Sequence, residues 1–303
     1  MPKYLFLPFA PGLLMLTAGV ANTVAGPEAR TQGYFAIQRQ WMKVWPFEHA
    51  SRLPRAIQPM FRPFVPVWVR VEPNINMLLD PDDYVSHEIL ETGRWEANSW
   101  GAIRNRLGPG ATFVDVGAHI GYYSLKAAAV VGPGGRVIAI EPNPDTVKKL
   151  RGNIQASGAG MVTVEPVACS DTEATLDLFG APRSNTGETS LSRANASQDS
   201  PAVTVYHVRA RPLDAILKEA GAARVDAIKI DVEGAEMLVL KGAHETLSRF
   251  HPAVLVEVVD HQLRQMGTSS QEVYGFFAAH GYARAGSYGD NVEFVPAGGA
   301  QPN

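Results

Sequence analysis

The sequence predicts an α/β fold with a mostly parallel, doubly wound sheet and helices on both faces. Three observations predict it. Apolar runs of strand length recur at 112–116, 136–140, 227–232 and 253–258. Segments with helical spacing lie between them. Glycines and helix caps punctuate the joins, as strand-helix alternation requires. Strands separated by helices must cross over to pair, which makes them parallel neighbours.

The elements follow in order. Residues 4–25 carry no charge, but Pro8, Pro11, Gly12 and Gly19 interrupt the regular part. Two readings stay open for this stretch: a packed segment, or a signal or membrane anchor. Residues 26–74 are rich in Pro, Arg and aromatics (Trp41, Trp45, Phe47, Phe61, Phe64, Trp68). Pro46, Pro54, Pro59, Pro63 and Pro66 argue against long helices here. This defines an N-terminal extension over 1–75, followed by one domain over 76–298. Residues 65–71 fit a strand, and 82–93 a helix with Val85, Ile89 and Leu90 on one face.

The apolar run 112–116, bounded by Gly110 and Gly117, is a buried strand; 122–131 is the helix after it, and 136–140 the next strand. Residues 145–155 form a helix capped by Asn143 with Pro144 in its first turn. Further strands are expected at 161–167, 227–232 and 253–258, and a helix over 235–249. Ser269 and Glu272 make a capping box for a helix reaching His280, and 282–285 with 291–295 make a terminal hairpin. Residues 180–201, rich in Ser, Asn, Thr, Gly and Ala, read as a long mobile loop, either a lid or a solvated insertion. Within them Asn195, Ala196 and Ser197 match a glycosylation sequon.

Composition narrows the function. Of 303 residues, 46% are hydrophobic and 19% charged, enough apolar content for a packed core. The net charge of −3 gives no basic stripe for nucleic acid. The single cysteine, Cys169, excludes an intrachain disulfide and a cysteine-rich zinc site, and reads as a small packed residue. The expected location is the cytoplasm, with membrane contact through the N-terminus as the open alternative.

The chemistry gathers at residues 114–121, where a strand meets a helix. Gly117 lets the backbone turn and approach a ligand; Gly121 lets the helix start lie close to the sheet. The crevice beyond the carboxyl ends of such strands is the expected ligand site. Glu141, ending the next strand, can accept hydrogen bonds from both hydroxyls of a ribose. A dinucleotide fold would show G-x-G-x-x-G around a pyrophosphate. The spacing here is D-x-G-x-x-x-G, and Asp115 suits an ammonium-bearing ligand without phosphate, such as the methionine part of S-adenosylmethionine (SAM).

The stretches FVDVGAHIGYYSLKAA, GGRVIAIEPNPDTVKKLRGNI and KIDVEGAEMLVLKGA resemble the FkbM family of SAM-dependent methyltransferases, over roughly residues 78–257. The resemblance implies a class I methyltransferase domain, Rossmann-like with a seven-stranded sheet. It also implies SAM as cofactor and methyl transfer to a hydroxyl oxygen of a glycan or small natural product. Carried over, Asp115, Gly117 and Gly121 frame the methionine end, with His119 on the same turn. Glu141 takes the ribose, and Ser170, after the third strand, stands where this fold contacts adenine.

Asp231 and Glu233 follow the fourth strand and become candidates for positioning the acceptor or removing its proton. Glu236 suits the start of the next helix. Glu257, Asp260 and His261 follow the fifth strand at the same end, and His261 is the best-placed histidine for a base. Asp231, Glu233 and His261 could also hold a divalent cation, although no motif requires a metal. Two other classes stay in view: a binding module of the same fold without catalysis, and a nicotinamide-dependent oxidoreductase.

Overall fold

The computed structural model describes residues 26–44, 58, 61, 64–196 and 204–298. Residues 4–25, Trp45, Phe47, Pro46, Pro54, Pro59, Pro63 and residues 197–201 of the long loop, with Ser197 of the sequon, lie outside the described residues. Among the described residues no helix is long and apolar enough to cross a membrane. The chain divides into two compact units. One holds the described residues up to Val71 with Leu78–Trp95; the other holds Glu72–Met77 and the described residues from Glu96 onward.

The first unit corrects one expectation. Residues 26–74 were read as unable to form a long helix, yet α1 (Pro27–Val44) runs for 18 residues. The breaking prolines all lie beyond its end, and Pro27 occupies the first turn, where its missing N–H is harmless. Thr31, Tyr34, Phe35 and Gln38, at helical spacing, are its buried face. Tyr34 and Phe35 pack on Phe64 at ring-centroid distances of 5.1 and 5.7 Å, and Tyr34 on Phe61 at 5.6 Å. Along the chain the hairpin β1 (Val67–Glu72) and β2 (Ile75–Leu79) comes next, its turn with Asn74 at φ 66° belonging to the other unit. Helix α2 (Tyr84–Thr92) matches its expected span. The Asp83 carboxylate accepts from Ser86 N at 3.0 Å, and Gly93 closes it in the left-handed conformation.

The second unit contains α3 (Ala97–Arg104), β3 (Thr112–Val116), α4 (Tyr122–Val131), β4 (Arg136–Ile140), α5 (Pro144–Ala156) and β5 (Val162–Glu165). Next come β6 (Ala168–Cys169), β7 (Ala174–Gly180), a 3-10 turn (Arg183–Glu188), α6 (Arg193–Ala196), β8 (Thr204–Arg211), α7 (Leu213–Glu219) and β9 (Ala227–Ile230). It ends with α8 (Glu236–Lys241), α9 (His244–Phe250), β10 (Ala253–Glu257), α10 (Asp260–Gln265), α11 (Ser270–Ala279), β11 (Tyr282–Tyr288) and β12 (Asn291–Pro296). The main sheet has seven strands in the order β11-β12-β10-β9-β3-β4-β5. The five from β10 to β5 are parallel; β12 pairs antiparallel with both its neighbours. This is the mostly parallel, doubly wound sheet that the sequence predicts, with the seven strands that the family resemblance implies.

The central strands are buried on both faces, which is why they read as unbroken apolar runs. Val114, Val116, Ile228, Ile230, Val254 and Val256 pack against Leu213, Leu240 and Phe277 on one side. Ala139 and Leu150 close part of the other. Phe277 stacks on Phe294 at 3.9 Å and seals the β12 side.

Two departures bear on the site. The helix expected over 235–249 is two helices, α8 and α9. A Cβ on Gly242 would lie 2.1 Å from Ser170 O, and the Asp214 carboxylate accepts from Glu245 N and Thr246 N at 2.9 and 2.8 Å. A cap supplied from another element restarts the helix there. The stretch read as a mobile loop is partly built structure. It carries the 3-10 turn and α6, between β7 and β8, which with β6 form a separate three-stranded sheet in the order β6-β8-β7, and Ser190 bridges back to Phe179. Ser190, Ser192 and Asn195 are buried, so the described part is anchored. Asn195 is also hydrogen-bonded inward, unlike the exposed loop position a sequon needs.

Candidate active site

The turn after β3 is held by the main chain. Gly117 N and Ala118 N both donate to Ile140 O at 3.0 Å, tying this turn to the end of β4. Gly117 has φ 82°, and a Cβ there would fall 1.7 Å from Asp231 O at the end of β9. The neighbouring strand's carbonyl by itself therefore demands a residue without a Cβ here. Gly121 has φ 92°, and a Cβ there would fall 2.6 Å from the Leu150 side chain of α5.

Asp115 is 1% exposed. Ser124 Oγ donates to its Oδ2 at 2.6 Å, while its Oδ1 is buried with no hydrogen-bond partner among the described residues. Burial raises its pKa, against the pull of Lys229 and the Ser124 hydrogen bond. Glu141 is buried at the end of β4 and accepts one main-chain bond on each oxygen: His119 N on Oε2 and Asn143 N on Oε1, both at 2.9 Å. Burial pushes its carboxyl to about 7, opposed by those two N–H groups. Each oxygen keeps one lone pair, which is what a pair of ribose hydroxyls needs. His119 sits at φ 49°, and its Nε2 lies 2.8 Å from Thr186 Oγ1 on the 3-10 turn.

The turn after β9 carries the second group. Asp231 Oδ2 accepts from Lys229 Nζ at 2.7 Å. Lys229 is buried in a strand and lies 4.9 Å over the Tyr123 ring. Burial alone would lower its pKa; Asp231, Glu96 and Asp115 outweigh that and hold it above the ordinary lysine value. Glu233 has φ 55°, its carbonyl accepts from Ser190 Oγ at 2.7 Å and Asn195 Nδ2 at 2.9 Å, and its Oε2 accepts from Gln262 Nε2 at 2.5 Å. Burial, then repulsion from Asp231 and Glu236, pushes its carboxyl to about 9. Glu257, ending β10, is pushed well above the carboxylate range by burial and by Asp231 and Glu233. Glu236 stands at the start of α8, and its Oε1 accepts from Val232 N and Gly234 N at 3.2 and 3.1 Å, tying down the turn before the helix.

The structure thus brings Asp115, Gly117, His119 and Glu141 together across β3 and β4, and Asp231 and Glu233 beside them. His261 is exposed on α10, and its neighbour Gln262 is the residue that reaches Glu233. Asp260 is engaged elsewhere, bonding Arg264 Nε at 2.6 Å and Ser270 N at 3.0 Å. Ser170 donates its N–H to Arg211 O at 3.0 Å and its hydroxyl to Asp171 at 3.2 Å, partners outside the β3 and β4 turns. Cys169 is buried, and burial raises its thiol pKa, as suits a packed residue. Sequence reasoning gave no role to Lys229, Gln262 or Ser190, and read Asn195 only as part of a sequon. Only Lys229 left a signal: a lysine inside an apolar strand must find a carboxylate.

A doubly wound sheet with paired carboxylates at the β3 and β4 ends defines a nucleoside-binding α/β domain. The family model described as "Methyltransferase FkbM domain" matches residues 115–283, more than half of the chain, and the chain belongs to that family. SAM is the cofactor expected of it. AmbE, an AMB antimetabolite synthetase of Pseudomonas aeruginosa, is 27% identical over 205 residues, covering 58% of this chain and 10% of AmbE. A probable cobalt-precorrin-6B C(15)-methyltransferase (decarboxylating) of Sulfolobus acidocaldarius is 31% identical over 74 residues, 24% of this chain and 38% of that protein. The chain therefore spans well under two thirds of either curated relative. A crystal structure of methyltransferase FkbM from Methylobacillus flagellatus is 15% identical, with a TM-score of 0.43, over 82% of this chain and 71% of that one.

Proposed function

We propose that the protein transfers a methyl group from SAM to a hydroxyl oxygen of an acceptor, a glycan or a small natural product. One observation carries the cofactor part: among the described residues Asp115 Oδ1 is buried without a partner, and the Glu141 carboxylate accepts a main-chain N–H on each oxygen. An ammonium donor satisfies the first, and two ribose hydroxyls suit the second. No phosphate fits beside two such carboxylates. When bound, SAM supplies an electrophilic methyl on a sulfonium.

The chain's own residues then orient the acceptor and handle its proton. Asp231 and Glu233 lie in the turn after β9, beside the β3 turn, and Gly117 lets the two turns touch. Glu233, raised to about 9, holds its proton at neutral pH until a positive charge or a basic medium removes it. The Lys229–Asp231 pair places a carboxylate oxygen as an acceptor for the hydroxyl proton.

Calorimetric titration with SAM, S-adenosylhomocysteine and NAD tests the cofactor. SAM and its product should bind and NAD should not; Glu141→Ala should weaken SAM by roughly tenfold or more, the loss of charge-assisted hydrogen bonds. Transfer of labelled methyl to a panel of sugars and hydroxylated natural products tests the acceptor. Folded protein that binds no SAM overturns the reading.

A further inference from the structure

We propose that Asp231, Glu233 and Glu257 together hold one divalent cation of the oxygen-preferring kind, Mg2+, Mn2+ or Ca2+. Each residue offers one carboxylate oxygen, and the three oxygens lie within 4.8 Å of one another. Oxygens sharing one such ion at roughly 2.0–2.6 Å span at most about 5 Å, so a common centre fits.

The independent observation is on Glu257. Its Oε2 is buried and has no hydrogen-bond partner among the described residues. Glu233 is held on one side by Gln262, and Asp231 by Lys229. Glu257 has neither kind of support on that oxygen, although β10 is pinned from both sides by β9 and β12. An all-carboxylate set selects hard cations over the softer metals that favour His or Cys. Glu257 completes the set, in the place the sequence offered to His261.

The cation would hold the acceptor hydroxyl and ease loss of its proton. That purpose rests on the methyltransferase reading; cation binding itself does not, so it is measured on the full chain without SAM or acceptor. Titration of Mn2+ followed by electron paramagnetic resonance should show one bound ion per chain, displaced by Mg2+ or Ca2+. Glu257→Gln should weaken Mn2+ by roughly tenfold or more while SAM affinity, read by calorimetry, shows that the variant is folded. If that variant does not fold, Glu233→Gln is read the same way. Wild-type protein that binds SAM but no Mn2+ at millimolar concentration overturns the cation site and leaves the methyltransferase reading intact. Undiminished Mn2+ binding in a folded variant overturns the ligand set. Mn2+ binding without SAM binding overturns the methyltransferase reading instead.

Discussion

At the scale of single residues, the carboxylates Asp115, Glu141, Glu233, Glu236 and Glu257 are all raised first by burial, and their partners then oppose or add to that shift. Glu141 shows the consequence for binding. With its carboxyl at about 7, it is increasingly protonated as the pH falls, and a protonated oxygen no longer accepts a ribose hydroxyl as well. SAM affinity should therefore rise with pH through 7, by at most about tenfold per unit below it, with Asp115 shifted in the same direction. Calorimetry at several pH values checks this, and Glu141→Gln should bind weakly with a flatter profile. Glu236 shows the consequence for stability. Burial raises its carboxyl from 4.5 to about 7, so the folded protein holds a proton that the unfolded chain has lost. That contribution is fully present below 4.5 and disappears as the pH climbs through 7. Both main-chain donors go to one oxygen, Oε1, which Gln also possesses. Glu236→Gln should keep the fold and be no less stable at pH 8. Glu236→Ala should cost roughly 1–3 kcal/mol or more by leaving those N–H groups unpaired. Denaturant unfolding separates the two.

At the scale of elements, the turns after β3 and β9 are fitted to each other. In Gly117→Ala, the new Cβ meets the Asp231 carbonyl, and the left-handed φ adds its own strain. Overpacking of about 1–3 kcal/mol plus about 1–2 kcal/mol for the backbone predicts a large fall in unfolding midpoint and loss of SAM binding. The stretch between β7 and α6 braces the β9 turn through Ser190 and Asn195, which share the Glu233 carbonyl. Because either donor alone keeps that carbonyl satisfied, Ser190→Ala and Asn195→Ala should be non-additive, the double variant losing more than the sum; a double-mutant cycle measures it. Most elements were legible from period and caps: β3, α4 and β4 match their expected spans, because a buried parallel strand must be an apolar run of its own length. β7 and β8 were not legible. They are largely exposed on one face, so their alternation of Leu176 and Leu178 against Val208 and Ala210 is diluted by polar neighbours. The break between α8 and α9 was hidden for another reason, since its cap comes from Asp214, remote in sequence.

At the scale of the whole molecule, the second unit is organised around one buried lysine among carboxylates. Replacing Lys229 with Met leaves Asp231 and Asp115 without their shared positive charge, and breaking a buried pair by removing one partner costs about 3–5 kcal/mol. Loss of cooperative unfolding in Lys229→Met, read by circular dichroism, is the expected outcome; an unchanged midpoint would show that the lysine is dispensable. Sequence by itself determined the fold class, the strand carrying Asp115, the one ending in Glu141, and the Asp231 turn. Each is written in local pattern: apolar runs, caps and glycines a few residues apart. What only the tertiary structure decided is which carboxylates meet and what charge surrounds them. Glu257 joins Asp231 and Glu233 because β10 pairs with β9, Gln262 and not its neighbour His261 bonds Glu233 because of how α10 turns, and Gly117 answers to a carbonyl more than a hundred residues away. Burial and through-space charge depend on neighbours brought in by strand pairing, and no local pattern records them.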